Sequence, residues 1–393
     1  MKQRWNIFVL GILLCLPAIS AMAQSDTTHQ PPKFTIKGYV KYMEQTSFAT
    51  DATQLVSAGL IHNRLNFKYE PNEHWKLRLE DRNRIYYGQL VELTPGFATS
   101  VTAYNAAFDW TKNWVNRNAV LVTSTIDRAS VEWIGGKWDV TVGRQRINWG
   151  IGTVWTPNDI FNTFNYFDFD YEERPGADAA RIQYNLNTSS SLDLAVSAGK
   201  TADQRIAALM YHWNKWDYDF QLFSGVYHQD VAAGLGWAGN IAGAGFKGEV
   251  TAFTPYEKGI ADSTVIAASL SVDYGFRNGI YVLLSGLYNS AGADSLPNLP
   301  QLSTVSLSAK NIFPFRYAGF GEVSYSFTPI FKATLATLYS PSGDALILFP
   351  TLTYSLGDNW TLDFISQSFF GKKQSNDYGA VGNSFFLRLK WGF

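Results

Sequence analysis

The chain ends on the stretch Ser384-Phe-Phe-Leu-Arg-Leu-Lys-Trp-Gly-Phe393, and this stretch decides the fold class. A strand directs successive side chains to opposite faces of a sheet. One face here carries Phe385, Leu387, Leu389, Trp391 and Phe393, and the other carries Phe386, Arg388, Lys390 and Gly392. An apolar face backed by Arg and Lys is typical of a barrel wall between lipid and a wet interior, because a soluble sandwich would have its apolar face inside. The stretch therefore predicts a transmembrane β-strand.

The same alternation recurs along the chain and predicts an all-β, antiparallel, up-and-down barrel. It is clearest at residues 192–199, 270–276, 317–327, 331–339 and 360–364. Short turn signals alternate with long connections at residues 91–122, 153–177, 290–315 and 371–383. Short periplasmic turns and long extracellular loops are typical of such barrels, and the turns and chain ends together predict about 18 strands. About 16 strands is the second choice, because residues 227–249 are rich in Gly and Ala and hard to divide.

The composition excludes two other classes of protein. Aromatic residues make up 16% of the chain and charged residues 17%, with a formal net charge of −1. This balance provides no basic field for nucleic acid. The mean hydropathy is −0.11, and no segment beyond the N-terminal region approaches the roughly 18 consecutive apolar residues of a spanning helix. The pattern therefore favours a barrel whose strands have one wet face.

The N-terminal region predicts export. Lys2 and Arg4 precede an apolar run at residues 7–19, and Ala21-Met-Ala23 has the small-x-small pattern of a cleavage site. The predicted domains are a signal peptide at 1–23, a flexible periplasmic leader at 24–33 and a transmembrane β-barrel at 34–393. Cys15 is the single cysteine and lies within the signal peptide, so the mature chain is predicted to contain no disulfide.

A row of charges predicts what lines the interior. A barrel of this size is too wide for side chains to fill, so function is expected in the lumen. One parity of the strand near residue 80 carries Lys76, Arg78, Glu80, Arg82 and Arg84. On the lipid face each Arg near the midplane would cost about 2–4 kcal/mol, so this row is predicted to point inward. Asp81 and Asn83 then fall on the apolar parity, where a bulge or a position above the membrane would explain them.

A later predicted strand contains an irregularity at Gly143. Val140 and Val142 share parity with Arg144 and Arg146, and these four side chains do not suit one environment. A bulge at Gly143 would turn the two arginines inward. It would leave Ile147 and Trp149 facing outward.

Four short motifs in this region resemble a pattern shared by porin-like outer-membrane barrels, among them the alginate-export barrels. They are Gly143-Arg144-Gln145, Trp149-Gly150, Pro157-Asn158-Asp159 and the run from Arg174-Pro175-Gly176 to Arg181. The resemblance covers about forty residues and implies an outer-membrane channel with an Arg-lined lumen, without identifying its solute. The residues expected to line the lumen are Arg64, Arg78, Arg82, Arg84, Arg144, Arg146 and Arg181.

The connection at residues 153–177 mixes aromatic and acidic side chains and is too apolar to lie loose in water. We expect it to fold into the barrel and form a constriction that selects solutes by size and charge. The constriction residues are expected to be Asp159, Asp168, Asp170, Glu172, Glu173 and Arg174. The alternative is an extracellular flap with solvated acids. The acidic run could also bind Ca²⁺, although its spacing does not match an EF-hand.

The sequence thus predicts a porin-like channel in the outer membrane for small hydrophilic solutes, anionic or polyhydroxylated ones included. Its predicted partners are outer-membrane lipids, the solutes, and the barrel-assembly machinery, which would recognise the strand ending on Phe393. No cofactor, metal or enzymatic activity is expected. Two alternatives remain: a closed barrel that anchors or organises surface glycan, and an outer-membrane lipid hydrolase. For the hydrolase, none of His29, His62, His74, His212 and His228 stands in a hydrolase or metal motif.

Overall fold

A computed structural model describes residues 32–49, 55–102, 107–162, 173–256, 263–294, 307–372 and 377–393. The predicted signal peptide and most of the predicted leader lie outside these residues, so those boundaries remain predictions. The described residues form two short α-helices, α1 (Gln89–Leu93) and α2 (Phe97–Thr102), and nineteen strands. Among the described residues, no helix has the length and hydrophobicity needed to cross a bilayer.

The strands follow one another around a single antiparallel sheet. Their bounds are β1 Phe34–Ala49, β2 Val56–Asn72, β3 Trp75–Tyr87, β4 Thr111–Arg117, β5 Val120–Gly135, β6 Trp138–Gln145, β7 Ala177–Asn187, β8 Ser190–Ser197, β9 Ile206–Lys215, β10 Tyr218–Tyr227, β11 Asp230–Ile241, β12 Ala244–Pro255, β13 Val265–Gly275, β14 Ile280–Asn289, β15 Tyr317–Thr328, β16 Phe331–Ser340, β17 Ala345–Gly357, β18 Trp360–Lys372 and β19 Tyr378–Gly392. The predicted short turns all fall at or within a few residues of the ends of these strands.

The first and last strands close the barrel. β1 pairs with β19 from Tyr39 opposite Gly392 to Ala49 opposite Gly382. β4 is not one of the strands that close the barrel. It pairs only with the first residues of β5, from Val120 to Thr125, and β3 pairs with the opposite edge of β5. The closed wall therefore has 18 strands, and the predicted fold class and strand number are confirmed. Closure pairs the backbone groups of every wall strand, which is the condition for a sheet to stand in hydrocarbon.

Side chains alternate between lumen and outer surface as the period-2 pattern predicts. On the last strand Leu387 is 50% exposed on the outer surface, whereas its neighbour Phe386 is 3% exposed and packs inside with Met43. Aromatic pairs gather near the short turns, including Trp138 with Tyr184 at a centroid distance of 4.5 Å. Such a belt at strand ends is typical of the interfacial girdles of membrane barrels.

A β-bulge does occur near Asp81, but it lies on the neighbouring strand β5 and not on β3. Glu80 pairs with Arg128 and Asp81 pairs with Ile126, so Asp127 is an extra residue that bulges from β5. The bulge turns both Asp127 and Arg128 toward the interior. Asp81 and Asn83 stay on the outer surface, where the Asn83 amide donates to the Asp81 carboxylate at 2.7 Å.

The predicted bulge at Gly143 is wrong. The register of β6 runs without a shift against both β5 and β7. Gly143 instead adopts φ +116°, and a Cβ there would lie 2.3 Å from the carbonyl oxygen of Ala129. β6 ends two residues later and the chain turns into the barrel, so Ile147 and Trp149 are buried inside and do not face outward.

Two of the predicted long connections contain regular structure. The segment predicted as the connection 91–122 includes α2 and β4, and β5 begins within it at Val120. The segment predicted as the connection 371–383 is mostly strand, because β18 continues to Lys372 and β19 begins at Tyr378. The β4 sequence Thr-Lys-Asn-Trp-Val-Asn-Arg lacks apolar alternation, and residues 371–383 are mostly polar or Gly, so hydrophobic alternation does not reveal these strands.

Candidate channel lining and constriction

The lumen has two chemically different walls. On β1, β2, β3, β5, β18 and β19 the inward-facing set is dominated by basic residues: Lys37, Lys41, Arg64, Lys68, Lys76, Arg78, Arg82, Arg84, Arg128, Arg388 and Lys390, against Glu70, Glu80, Asp127, Glu132 and Asp363. From β6 to β17 acids dominate that set: Asp139, Asp193, Asp219, Asp230, Glu249, Asp273 and Glu322, against Arg181, Lys247 and Lys332. We call these surfaces the basic wall and the acidic wall.

A buried ion network stands in the middle of the basic wall. The guanidinium of Arg64 contacts Asp127 Oδ2 at 2.5 Å and Glu80 Oε2 at 2.5 Å, and Arg82 Nη2 lies 2.9 Å from Asp127 Oδ1. Arg64 is fully buried and Arg82 nearly so. Charges removed from water in this way need matched partners, and the bulge at Asp127 supplies one. The bulge was missed because period-2 reasoning assumes an unbroken register.

Three other predicted lumen arginines also face the interior. Arg78 contacts Glu132 at 2.9 Å and keeps 43% of its side chain exposed. Arg181 contacts Asp193 at 2.6 Å on the acidic wall. Arg84 donates to the Tyr86 hydroxyl at 2.6 Å and to the Val101 carbonyl at 2.8 Å, so it is held beneath the segment that contains α2.

The two arginines of the Gly143 region lie in different places. Arg144 is 4% exposed and fills the gap in the wall where β6 ends: it contacts Asp178 at 2.8 Å and donates to the Ile126 carbonyl at 3.1 Å. Its guanidinium also lies 4.9 Å from the ring centroid of Trp110. Arg146 is exposed and donates to Asn148 at 3.2 Å. Arg144 therefore plugs the wall, and its guanidinium is unavailable to a passing solute.

The chain between β6 and β7 packs across the acidic wall as far as it is described. The indole of Trp149 donates to Asp193 at 3.0 Å, and Gln221 Nε2 donates to the Trp149 carbonyl at 2.7 Å. Farther along, Ser269 donates to the Trp155 carbonyl at 3.0 Å. We call residues 146–176 the inner loop. Residues 146–162 of this loop lie inside the barrel on β8 to β13, and residues 174–176 lie against Asp127 and Arg128 of β5.

Glu249 on β12 is the principal anchor of the inner loop. Its carboxylate accepts from the backbone N–H groups of Ile151 at 2.5 Å and Asn158 at 2.8 Å, and also from that of Gly152. Next to it, Thr251 donates to the Asn158 side chain at 2.6 Å. Glu249 is fully buried beneath these contacts. No local pattern indicates this role, because Glu249 lies 91 to 98 residues along the chain from its partners.

A second in-folded segment, residues 307–316, touches the inner loop. Phe313 is fully buried and lies 6.3 Å from the ring of Trp155. Lys310 contacts Asp230 at 2.9 Å at the start of β11. This segment was predicted only as a long outer loop. Together the two segments cover much of the acidic wall.

The predicted constriction residues are only partly described. Asp168, Asp170 and Glu172 lie outside the described residues. Asp159 is buried and pairs with Arg174 of the same loop at 2.5 Å, so it does not face the arginine row. Glu173 lies close enough to Arg64 to stabilise its charge. Burial raises the pKa of the Asp159 carboxyl to about 6, against the opposing effect of the Arg174 guanidinium.

This raised pKa predicts pH-dependent ion selectivity. Below about pH 6 Asp159 takes up a proton and no longer offsets the charge of Arg174, so anion preference is expected to rise as the pH falls from 7.5 to 5. The measurement is the reversal potential in a KCl gradient across a planar bilayer. Asp159→Asn is expected to show the acidic-pH selectivity at both pH values. An unchanged pH dependence in that variant would assign the titration to another group.

No family model and no curated protein matches the sequence. Solved structures of similar shape include OpdQ of Pseudomonas aeruginosa, with a TM-score of 0.56, 6% identity, and coverage of 92% of this chain and 99% of that one. OccAB1 of Acinetobacter baumannii has a TM-score of 0.55 and 9% identity over 92% of this chain and 96% of that one.

The chain has the fold of these outer-membrane porins. OccK11 (OpdR) of P. aeruginosa gives the same result, with a TM-score of 0.54 and 10% identity over 92% of this chain and 96% of that one. Identities this low establish the fold alone. The resemblance of the Gly143 to Arg181 motifs to the alginate-export group stays a prediction.

Proposed function

We propose that this protein is an outer-membrane channel through which small hydrophilic solutes diffuse, with a preference for anionic or polyhydroxylated ones. Support comes from the closed 18-strand barrel, the apolar side chains on most of its outer surface and its porin-like fold. We also propose that the predicted export signal and the strand ending on Phe393 direct it to the outer membrane. The barrel-assembly machinery would recognise that strand.

One observation carries the proposed preference: the described part of the inner loop buries Glu249 and Asp193 of the acidic wall, whereas Lys68 and Arg78 of the basic wall keep much of their side chains exposed. Glu249 and Asp193 are fully buried under loop contacts. On the basic wall, by contrast, the side chains of Lys68 and Arg78 stay 42% and 43% exposed. Charge that stays exposed in the lumen affects ion selectivity more than charge that is buried, so we expect anions to be favoured.

The test is single-channel recording of the refolded protein in planar bilayers. The double variant Lys68→Gln/Arg78→Gln is expected to lower the anion-to-cation permeability ratio by roughly two-fold or more, since it removes two charges within a Debye length of the pathway. Lys332→Gln, on β16 of the acidic wall, is the matched control and should change the ratio less. A protein that conducts no ions would contradict the channel, and equal effects of both variants would contradict the assigned lining.

Absence of conductance would favour the alternative of a closed barrel that anchors or organises surface glycan. The porin-like fold favours a channel over a lipid hydrolase. Hydrolysis of phospholipid by the refolded protein, measured as fatty-acid release, would contradict the proposal that the protein is not an enzyme.

A further inference from the structure

The outer surface of the barrel is uneven in charge. From β8 to β19, the outward-facing positions of the described strands carry Asp, Glu, Lys or Arg only at strand ends, at Lys215 and Lys372. Within β1 to β5, Glu44 and Asp81 face outward away from strand ends, and Lys112 faces outward as the second residue of β4. One sector of the surface is therefore polar.

Asparagine and serine side chains extend this sector into a continuous row. Asn63, Asn83, Ser124 and Lys112 stand side by side in register on β2, β3, β5 and β4. Ser124 donates to Asn83 at 2.5 Å, and the indole of Trp114 donates to Ser124 at 2.9 Å. We call the sector formed by Glu44, Asn63, Asp81, Asn83, Lys112 and Ser124 the polar flank.

The depth of Asp81 makes the polar flank unsuitable for contact with lipid tails. Asp81 is six residues above Trp75 on β3. With a rise of about 3.4 Å per residue and a tilt of about 40°, it stands roughly 15 Å above that girdle, near the middle of an apolar band about 25 Å tall. Within the described residues, neither Asp81 nor Lys112 forms an ion pair. Something other than hydrocarbon must cover this surface.

The ends of the polar flank are complementary in charge and equal in height. Residues that are paired across neighbouring strands lie progressively higher along the barrel axis from β1 to β5. Trp75 at the lower end of β3, for example, is opposite Trp133, which lies two residues above the lower end of β5. Lys112 and Glu44 therefore both stand roughly 25 Å above Trp75, some 20 Å apart around the barrel. A symmetry axis along the membrane normal, placed between them, brings Lys112 of one copy beside Glu44 of the next.

We propose that the protein self-associates in the membrane through the polar flank, with Lys112 of one copy paired with Glu44 of its neighbour. The asparagines and Asp81 then lie in the seam between copies, away from lipid. Glu44 already accepts from the Tyr42 hydroxyl at 2.9 Å and the Tyr87 hydroxyl at 3.2 Å, which holds its carboxylate on the outer surface.

The test is site-directed cross-linking of the full chain in outer membranes, in a Cys15→Ser background that contains no other cysteine. Ile61→Cys places a thiol at the centre of the polar flank, where Ile61 is 38% exposed. Leu284→Cys, at a position 59% exposed on β14, is the matched control. With a short bis-maleimide, Ile61→Cys is expected to give at least about five-fold more cross-linked homo-oligomer than Leu284→Cys.

Charge reversal then tests the pairing. In the Ile61→Cys background, Lys112→Glu and Glu44→Lys are each expected to reduce cross-linking to the control level, and the double reversal is expected to restore it. Heat-modifiable mobility on SDS gels selects folded protein, and Lys112→Met replaces any reversal that does not fold. Equal cross-linking at both cysteines, cross-links only to a protein of another mass, or failure of the double reversal to restore cross-linking would overturn the proposal.

Discussion

Replacement of Glu249 by leucine is expected to release the inner loop and increase single-channel conductance at least about two-fold, because the loop occupies the lumen. The carboxylate is fully buried and accepts from three backbone N–H groups, those of Ile151, Gly152 and Asn158. Hydrogen bonds to a charged group contribute about 1.5–3 kcal/mol each, so the loop loses its largest single source of attachment. The measurement is conductance in planar bilayers, together with proteolysis of the loop in liposomes.

A matched control separates loop release from loss of lumen charge. Glu322→Leu removes one carboxylate from the same wall, on β15, and is expected to change selectivity with little change in conductance. Glu249→Gln retains one acceptor oxygen and should give an intermediate conductance. If Glu249→Leu conducted like the unmodified protein and its loop resisted protease, the anchoring role of this carboxylate would be wrong.

Replacement of Asp127 by alanine is expected to destabilise the barrel by about 3–5 kcal/mol, the cost of leaving buried charge uncompensated. Asp127 neutralises both Arg64 and Arg82, and these arginines are 0% and 3% exposed. Glu80 then remains paired with Arg64. The measurement is reversible urea unfolding in liposomes, read from the folded fraction on unheated SDS gels.

The control is an exposed acid of the lumen. Asp219→Ala, at the lower end of β10, removes a carboxylate that accepts from Asn214 and is expected to change stability by no more than about 0.5 kcal/mol. The double variant Asp127→Ala/Arg82→Leu should be more stable than Asp127→Ala, because it also removes one of the two buried guanidinium groups that Asp127 neutralises. If Asp127→Ala and Asp219→Ala had the same free energy of unfolding, the buried ion network would not contribute to the stability of the barrel.

The barrel could be predicted because its signals are local. Alternation at a period of two needs only neighbouring residues, and the short turns divide the chain into hairpins. The inward direction of Arg64, Arg78, Arg82, Arg84 and Arg181 also follows from parity. The direction of the Arg144 side chain does not follow from parity, because β6 ends one residue beyond it and leaves a gap in the sheet that the guanidinium fills.

The contacts that shape the lumen could not be predicted, because they join distant parts of the chain. Glu249 meets the inner loop from β12, and Phe313 meets Trp155 from beyond β14. The bulge at Asp127 breaks a register that sequence parity assumes to be continuous. Each depends on which strands the closed sheet brings face to face, a property absent from any short window.

The motifs that resemble the porin-like pattern are better explained by how the inner loop is held than by solute contact. Gly143 takes a left-handed φ where the loop leaves the wall, and Gly176 lies where it returns. A Cβ on Gly176 would lie 2.6 Å from the carbonyl oxygen of Asp127. Asn158 and Asp159 supply contacts along the loop, to Glu249 and Arg174. Residues outside the motif would then determine which solutes a barrel of this pattern selects.

The hairpin of β4 and β5 has a consequence for solubility before membrane insertion. Among the described strands, β4 has a neighbour on one side only, so it presents a free edge to which another chain could add. Its sequence, Thr-Lys-Asn-Trp-Val-Asn-Arg at 111–117, places charged and amide side chains along that edge. Such residues oppose edge-to-edge pairing of β4 with another chain, which lowers the tendency of the barrel to aggregate through this edge.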